Sequence, residues 1–387
     1  MTYARARLLL GIFGVGSIVV LSAVLLLTQY PLEILPDSES WTTGDFTALV
    51  LLFGSLAALL FPMDLLGGFL LPKRWRSESI SLRTFLSGWF RGVLIQSLLY
   101  LATSLSILFM GRWLGVPGAI LAIAGAGITL VGSQLQMAKL VGALQNHESP
   151  NPEIIAAMEQ AQATVSAWGW TPRRIMTLEH HGTGFTGGIA GFPGMETVVL
   201  PADMLAKLSP EQLAIVIARR LEAIQGGSRT RGLLLAIVWV IVGFSLSTKL
   251  PGADVTSVAG LSMTCLAFSL WTFFGLLTLP TLSRQASYAI DGKILQSGAS
   301  PEAFQQTIKT LDALQDDEPR RSAFIETVFH PVPSVENRRT LTSSNTAITW
   351  HAARITLLVS WACMGMLVRA VHCNVGRPEL WVMLPTD

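Results

Sequence analysis

Charge is scarce in this chain. Of 387 residues, 27 are Lys or Arg and 25 are Asp or Glu, so 13% are charged, where an ordinary soluble domain carries about a quarter. Together with 51% hydrophobic residues and a mean hydropathy of +0.51, this excludes an ordinary soluble protein. The formal net charge is only +2, and the basic residues stand at the borders of apolar runs, so the basic field that a nucleic-acid partner needs is missing. Cysteine is almost absent. Cys265 and Cys363 lie inside apolar runs and Cys373 beyond the last one, which leaves neither a disulfide framework nor a C-x-x-C metal pair. There is no G-x-S-x-G elbow for a serine hydrolase and no H-E-x-x-H for a zinc peptidase. Buried acids suited to a proton or ion path are also lacking, apart from Asp64 near the end of the second run, which is expected at an interface.

What the chain does have is apolar runs. They cover Leu8–Thr28, Thr47–Leu71, Gly92–Met110, Val116–Val131, Gly232–Leu246, Val255–Leu279 and Ile355–Val368. About 20 residues cross a bilayer as a helix, so the pattern predicts roughly seven spans, the shorter runs needing flanking residues or tilt. Arg5 and Arg7 precede a first run that is too long for a signal-peptide core, which predicts an uncleaved anchor. The loop after it holds Glu33, Asp37, Glu39 and Asp45 but no Lys or Arg. The next loop holds Lys73, Arg74, Arg76, Arg83 and Arg91. By the positive-inside rule the N-terminus and the large polar segments face the cytoplasm.

Those polar segments divide the chain. Residues 1–144 read as a membrane region of about four spans. Residues 145–231 are the first part of a soluble domain, 232–281 a membrane hairpin, 282–345 the second part, and 346–387 a candidate last span and tail. The first soluble part opens with Ser149-Pro150-Asn151-Pro152-Glu153, a turn and helix start, and Ile154 to Trp168 has helical spacing. Arg174–Leu178 and Thr197–Leu200 read as short strands around a glycine-rich stretch, Gly182–Gly194, suited to a hairpin or a flexible cleft edge. Ser209-Pro210-Glu211 then starts a long helix that carries Arg219, Arg220 and Ala223.

Three motifs around the hairpin carry a family resemblance. The helix Leu208–Ile224 resembles the H-E-x-x-H helix of membrane zinc proteases, with Arg219 and Ala223 at the two His positions and Arg220 at the Glu position. Ser283-Arg284-Gln285-Ala286-Ser287-Tyr288-Ala289-Ile290-Asp291 resembles an S-R-x-x-E-[FY]-x-A-D stretch, with Ser287 at the Glu position. His330-Pro331, followed by Arg338, resembles an H-P-x-x-x-x-R element about two residues longer than usual. In this order, with two spans between the first and second motifs, residues from Gln145 to Leu341 resemble the HtpX-type and CAAX-prenyl-type membrane zinc metallopeptidases. The resemblance implies an α+β fold on a multispanning helical protein, mainly helical, with a small sheet in a cytoplasmic zincin-like domain. It also implies that Ser287 stands where a third zinc ligand would be, that Asp291 is a retained supporting carboxylate, and that His330 and Arg338 are structural.

A guanidinium has no lone pair for a metal, and a methyl group offers nothing. The residues at the inherited positions therefore argue against zinc and against hydrolysis. Loss of the metal would leave Asp291 in need of a cation, and Arg219 projects from the position to supply it in a salt bridge. The edge near Gly187, Gly188, Thr197 and Val198 is the expected cleft for an extended peptide segment or a protein partner. His180-His181 does not suit a single ion, because neighbours on a strand point to opposite faces. Gly182-Thr183-Gly184-Phe185-Thr186-Gly187 matches G-x-G-x-x-G, but further glycines follow where a helix would have to begin.

The expectation is an integral membrane metallopeptidase homologue without a cofactor, catalytically inactive, embedded in lipid and acting on membrane proteins by binding or regulation. Two alternatives stay open at this point. One is an active zinc metalloendopeptidase with unconventional ligands drawn from His180, His181, Glu222, Asp291 and His330. The other is a non-enzymatic membrane scaffold or transporter.

Overall fold

A computed structural model describes residues 2–75, 81–146, 152–179, 184–315, 318, 320–340, 347–371, 374–377 and 381–382. His180, His181, Cys373 and the 149–151 turn lie outside the described residues. Among the described residues, five helices are long and apolar enough to cross a membrane: Tyr3–Thr28, Thr43–Trp75, Leu82–Gly132, Ser228–Ser247 and Val258–Gln296.

The third of these is two arms, not one rod. A straight helix of 51 residues would reach roughly 76 Å, far beyond a bilayer core of about 30 Å. Gly115, at φ 67° and ψ −152°, leaves the helical region and turns the chain back, with Pro117 starting the second arm. Two observations fix the reversal. Arg91 Nε and Nη2 donate to the carbonyls of Leu140 and Lys139, joining the first arm to the short helix Gln134–Leu140 that follows the second, and a Cβ on Gly118 would lie 2.2 Å from the carbonyl oxygen of Met110. The runs at Gly92 and Val116 are thus the antiparallel arms of one hairpin.

The seventh expected span has a different form. Ala352–Ser360 is α-helical and continues as 3-10 turns at Trp361–Cys363 and Met366–Arg369. The stretch Ala352–Cys363 reaches only about 18 Å, short of a crossing. Ile355, Trp361, Cys363 and Leu367 are at most 1% exposed, so this run is apolar because it fills the centre of the bundle. Its irregular backbone is met by buried polar side chains: Tyr100 Oη donates to the Gly365 carbonyl and Gln134 Nε2 to that of Val382. Non-helical backbone at this depth requires such partners.

Asp64 also differs from its expected interface role. It is 1% exposed and accepts hydrogen bonds from Arg369 Nη2 at 2.6 Å, from the Trp89 indole at 2.9 Å and from the Gly376 amide at 3.1 Å. It ties the second span, just before a π-helical turn at Leu66–Leu70, to the C-terminal segment.

The soluble part contains a four-stranded sheet in the order β1-β2-β4-β3. β1 (Gln145–Asn146) is antiparallel to β2 (Ile175–Glu179), which is parallel to β4 (Thr197–Pro201). β3 (Gly188–Ala190) pairs antiparallel with β4 and closes through a turn in which the Met195 amide donates to the Phe192 carbonyl. From Gly188 onward the glycine-rich stretch therefore forms a hairpin. Helices Pro152–Ala167, Pro210–Gln225 and Pro301–Leu314 share a second hydrophobic core with this sheet, built on Val198, Leu200, Ile215, Ile217, Phe304 and Ile308. Helix Val258–Gln296 runs unbroken from the membrane hairpin into this core, so the spans and the soluble part share one rod.

Candidate functional site

The helix Pro210–Gln225 starts with a full capping box: Ser209 Oγ accepts from the Gln212 amide, and Gln212 Oε1 accepts from the Ser209 amide. Pro210 occupies the first turn, and Glu211 adds a negative charge there. From Leu213 to Ile224 every residue is buried. Both arginines are therefore carried into the interior, where a cation is tolerated only with partners.

Arg219 finds a carboxylate. Its Nε donates to Asp291 Oδ1 at 2.9 Å, with the two side chains 4% and 5% exposed. Asp291 is held from a second direction by Arg338, whose Nε donates to Oδ2 at 2.8 Å and Nη2 to Oδ1 at 3.0 Å. This is the planar two-bond pairing that a guanidinium fork makes with a carboxylate. Ser283, Ser287 and Asp291 recur every fourth residue on the long helix and form one buried stripe. Ser287 Oγ donates to the Ser283 carbonyl at 3.3 Å, and Ala223, one turn beyond Arg219, is fully buried.

Arg220 points elsewhere. Nη1 donates to the Val216 carbonyl and Nη2 to that of Thr186 at 2.6 Å. Gly187 makes this approach possible: it adopts φ 95°, and a Cβ there would lie 2.4 Å from the Val199 carbonyl oxygen and 3.2 Å from Arg220 Nη2. Glu222 is engaged by Lys293 Nζ at 2.8 Å and the Trp170 indole at 3.0 Å. His330 is buried and its carbonyl accepts from Arg284 Nη1, which also donates to the Glu326 carbonyl.

The structure thus brings Arg219, Asp291 and Arg338 together and places Ser287 and Ala223 on the same two helices. It does not bring Gly187, Gly188, Thr197 and Val198 to one open edge. Thr197 and Val198 lie on β4, whose neighbours β2 and β3 occupy both its sides, so an added strand could meet only β3. Even that edge is covered. Gly188, Ile189 and Ala190 are buried, and Arg229 Nη2 donates to the Gly191 carbonyl at 2.7 Å and to that of Ile189 at 3.5 Å. Arg229 also lies 3.9 Å from Glu196. Sequence reasoning had no role for Arg229, because it reads as a border cation of the next span, nor for Arg284, although the Ser283–Asp291 motif contains it.

Zinc does not fit these donors. Arg219 has no lone pair, Ala223 no donor, and Asp291 is taken up by two guanidinium groups. Among the described residues no three His, Cys, Asp or Glu side chains are placed to hold a metal ion. The arrangement pairs one buried carboxylate with two buried guanidinium groups.

No family model matches the sequence, and no curated protein matches it. The fold does have a counterpart. The crystal structure of S. mikatae Ste24p aligns with a TM-score of 0.60 over 78% of this chain and 76% of that one, at 12% identity. The chain shares the fold of Ste24p. With this likeness and its membrane-length helices, it is built as an integral membrane protein, mainly helical with a small sheet.

Proposed function

We propose that this chain is a membrane metallopeptidase homologue that has lost zinc and hydrolysis and acts by binding or regulating membrane proteins. The observation that carries the reading is Asp291 gripped by Arg219 and Arg338, with a guanidinium standing at the helix position from which a ligating imidazole would project. The motif order around a membrane hairpin supports the HtpX-like and CAAX-prenyl-like assignment, and the Ste24p fold runs parallel to it. The soluble domain and the N-terminus are assigned to the cytoplasm on the charge asymmetry of the first two loops.

The alternative of an active enzyme draws less support, since Glu222 and Asp291 are both engaged by cations. The test is elemental analysis of the purified full chain together with a peptidase assay. The expected result is no stoichiometric zinc and no cleavage. The combined variant Arg219→His, Arg220→Glu, Ala223→His and Ser287→Glu should bind zinc. About one zinc per unmodified chain, removed by chelator together with an activity, would overturn the proposal.

A further inference from the structure

Two apolar cavities open from the helical bundle. One, of about 400 Å³, lies among Leu25, Tyr30, Leu49, Tyr100 and Leu261, and none of its described lining residues is charged. The other, of about 340 Å³, is built differently. Its walls come from Gly11 and Gly16 of the first helix, Phe273 and Pro280 of the long helix, and Phe329 and Pro331 beneath them. Among its described lining residues, Arg354 alone is charged. The cavity sits at the soluble-domain end of the first helix, because Thr2 and Arg5, just before it, bond to Glu318.

We propose that this cavity holds one acyl chain of an anionic bilayer phospholipid, with Arg354 meeting its phosphate. The volume is in the range of pockets for small apolar ligands. Its glycine wall faces space. A Cβ on Gly16 would meet nothing within 4 Å, whereas one on nearby Gly14 would lie 3.1 Å from Met63 Sδ and 3.3 Å from Ala370 Cβ. Gly14 is small because helices pack against it; Gly16 leaves a gap.

Moving a chain from lipid into this gap releases little energy, since the bilayer core is as apolar as the walls. Selectivity then rests on the headgroup. The soluble-domain end of the bundle carries Lys73, Arg74 and Arg91 as well as Arg354, while the loop at the opposite end, with Glu33, Asp37 and Glu39, holds only acids. A guanidinium presents five N–H donors, so Arg354 can keep a protein contact and still accept a phosphate. A juxtamembrane cation favours an anionic over a zwitterionic headgroup by about fivefold.

The experiment is native mass spectrometry of the full chain released from nanodiscs of equal phosphatidylglycerol and phosphatidylcholine. The wild type should retain one phosphatidylglycerol, preferred about fivefold. Gly16→Phe, which fills the gap, should lose it while the thermal midpoint stays within a few degrees, and Ile12→Trp, at the exposed mouth, repeats the test from a second position. Arg354→Gln should retain a lipid without the preference. Three results would overturn the proposal: no retained lipid on the wild type, equal retention of the two lipids, or undiminished retention by both filled variants.

Discussion

At the scale of the residue, the stability of the soluble part turns on Asp291. Arg338 makes two of the three described bonds to it and Arg219 one, all in a site closed to water. Arg338→Ala strips the two-bond pairing and should cost about 3–5 kcal/mol, the range for breaking a buried ion pair. Arg219→Ala should cost about 1.5–3 kcal/mol, the worth of one bond to a charged group. Chemical unfolding of the purified protein would measure both, and a larger loss at Arg219 would put the main anchor on the wrong guanidinium. Half of this arrangement was legible. The resemblance set Arg219 at a zinc-ligand position and Asp291 at the position of a supporting carboxylate, and their pairing was read from that. Arg338 was legible as part of an element but not as a partner, because no periodicity links residues 47 apart across a loop. The partners of Glu222 were hidden for the same reason, since Lys293 lies 71 residues from it and Trp170 lies 52.

At the scale of the element, breaks and caps were the legible features. Gly115 falls between the apolar runs that end at Met110 and begin at Val116, and it turns the chain between two arms in the structure. A side chain at φ 67° is strained whatever the space around it, so Gly115→Val should destabilise the hairpin by about 1–3 kcal/mol. Gly125→Val, where a Cβ would meet nothing within 4 Å, is the control and should stay within about 0.5 kcal/mol. Equal thermal shifts for the two would show that the turn does not depend on glycine. The helix start at Ser209-Pro210-Glu211 was legible through its turn chemistry, and the strands on either side of the glycine-rich stretch through their β-branched and apolar residues. The run after Ile355 was not. A helix is apolar all round both when it faces lipid and when it lies inside a bundle, and composition does not separate the two cases. The closed edge of β3 was equally hidden, since Arg229, which reaches it, lies 38 residues after Gly191 with nothing in its local sequence to announce the contact.

At the scale of the whole molecule, the contacts of Thr2 and Arg5 with Glu318 place the N-terminus on the same side as the second soluble segment. On the orientation proposed from loop charge, that side is the cytoplasmic one. Reporters fused near Asn146 and Asp316 should both read cytoplasmic, and one between Pro31 and Gly44 should read the opposite side. A cytoplasmic signal from the acidic loop would invert the whole assignment. The centre of the bundle is closed by the C-terminal segment, and its anchor is the pair Asp64 and Arg369, separated by 305 residues. At about 5–20 residues per second, ribosomal synthesis delivers the arginine roughly 15–60 s after the aspartate. For that interval the early spans hold a carboxyl group whose cation has not been made and surround a centre not yet filled. The early spans therefore insert first and become a packed object only when the segment that carries Arg369 joins them.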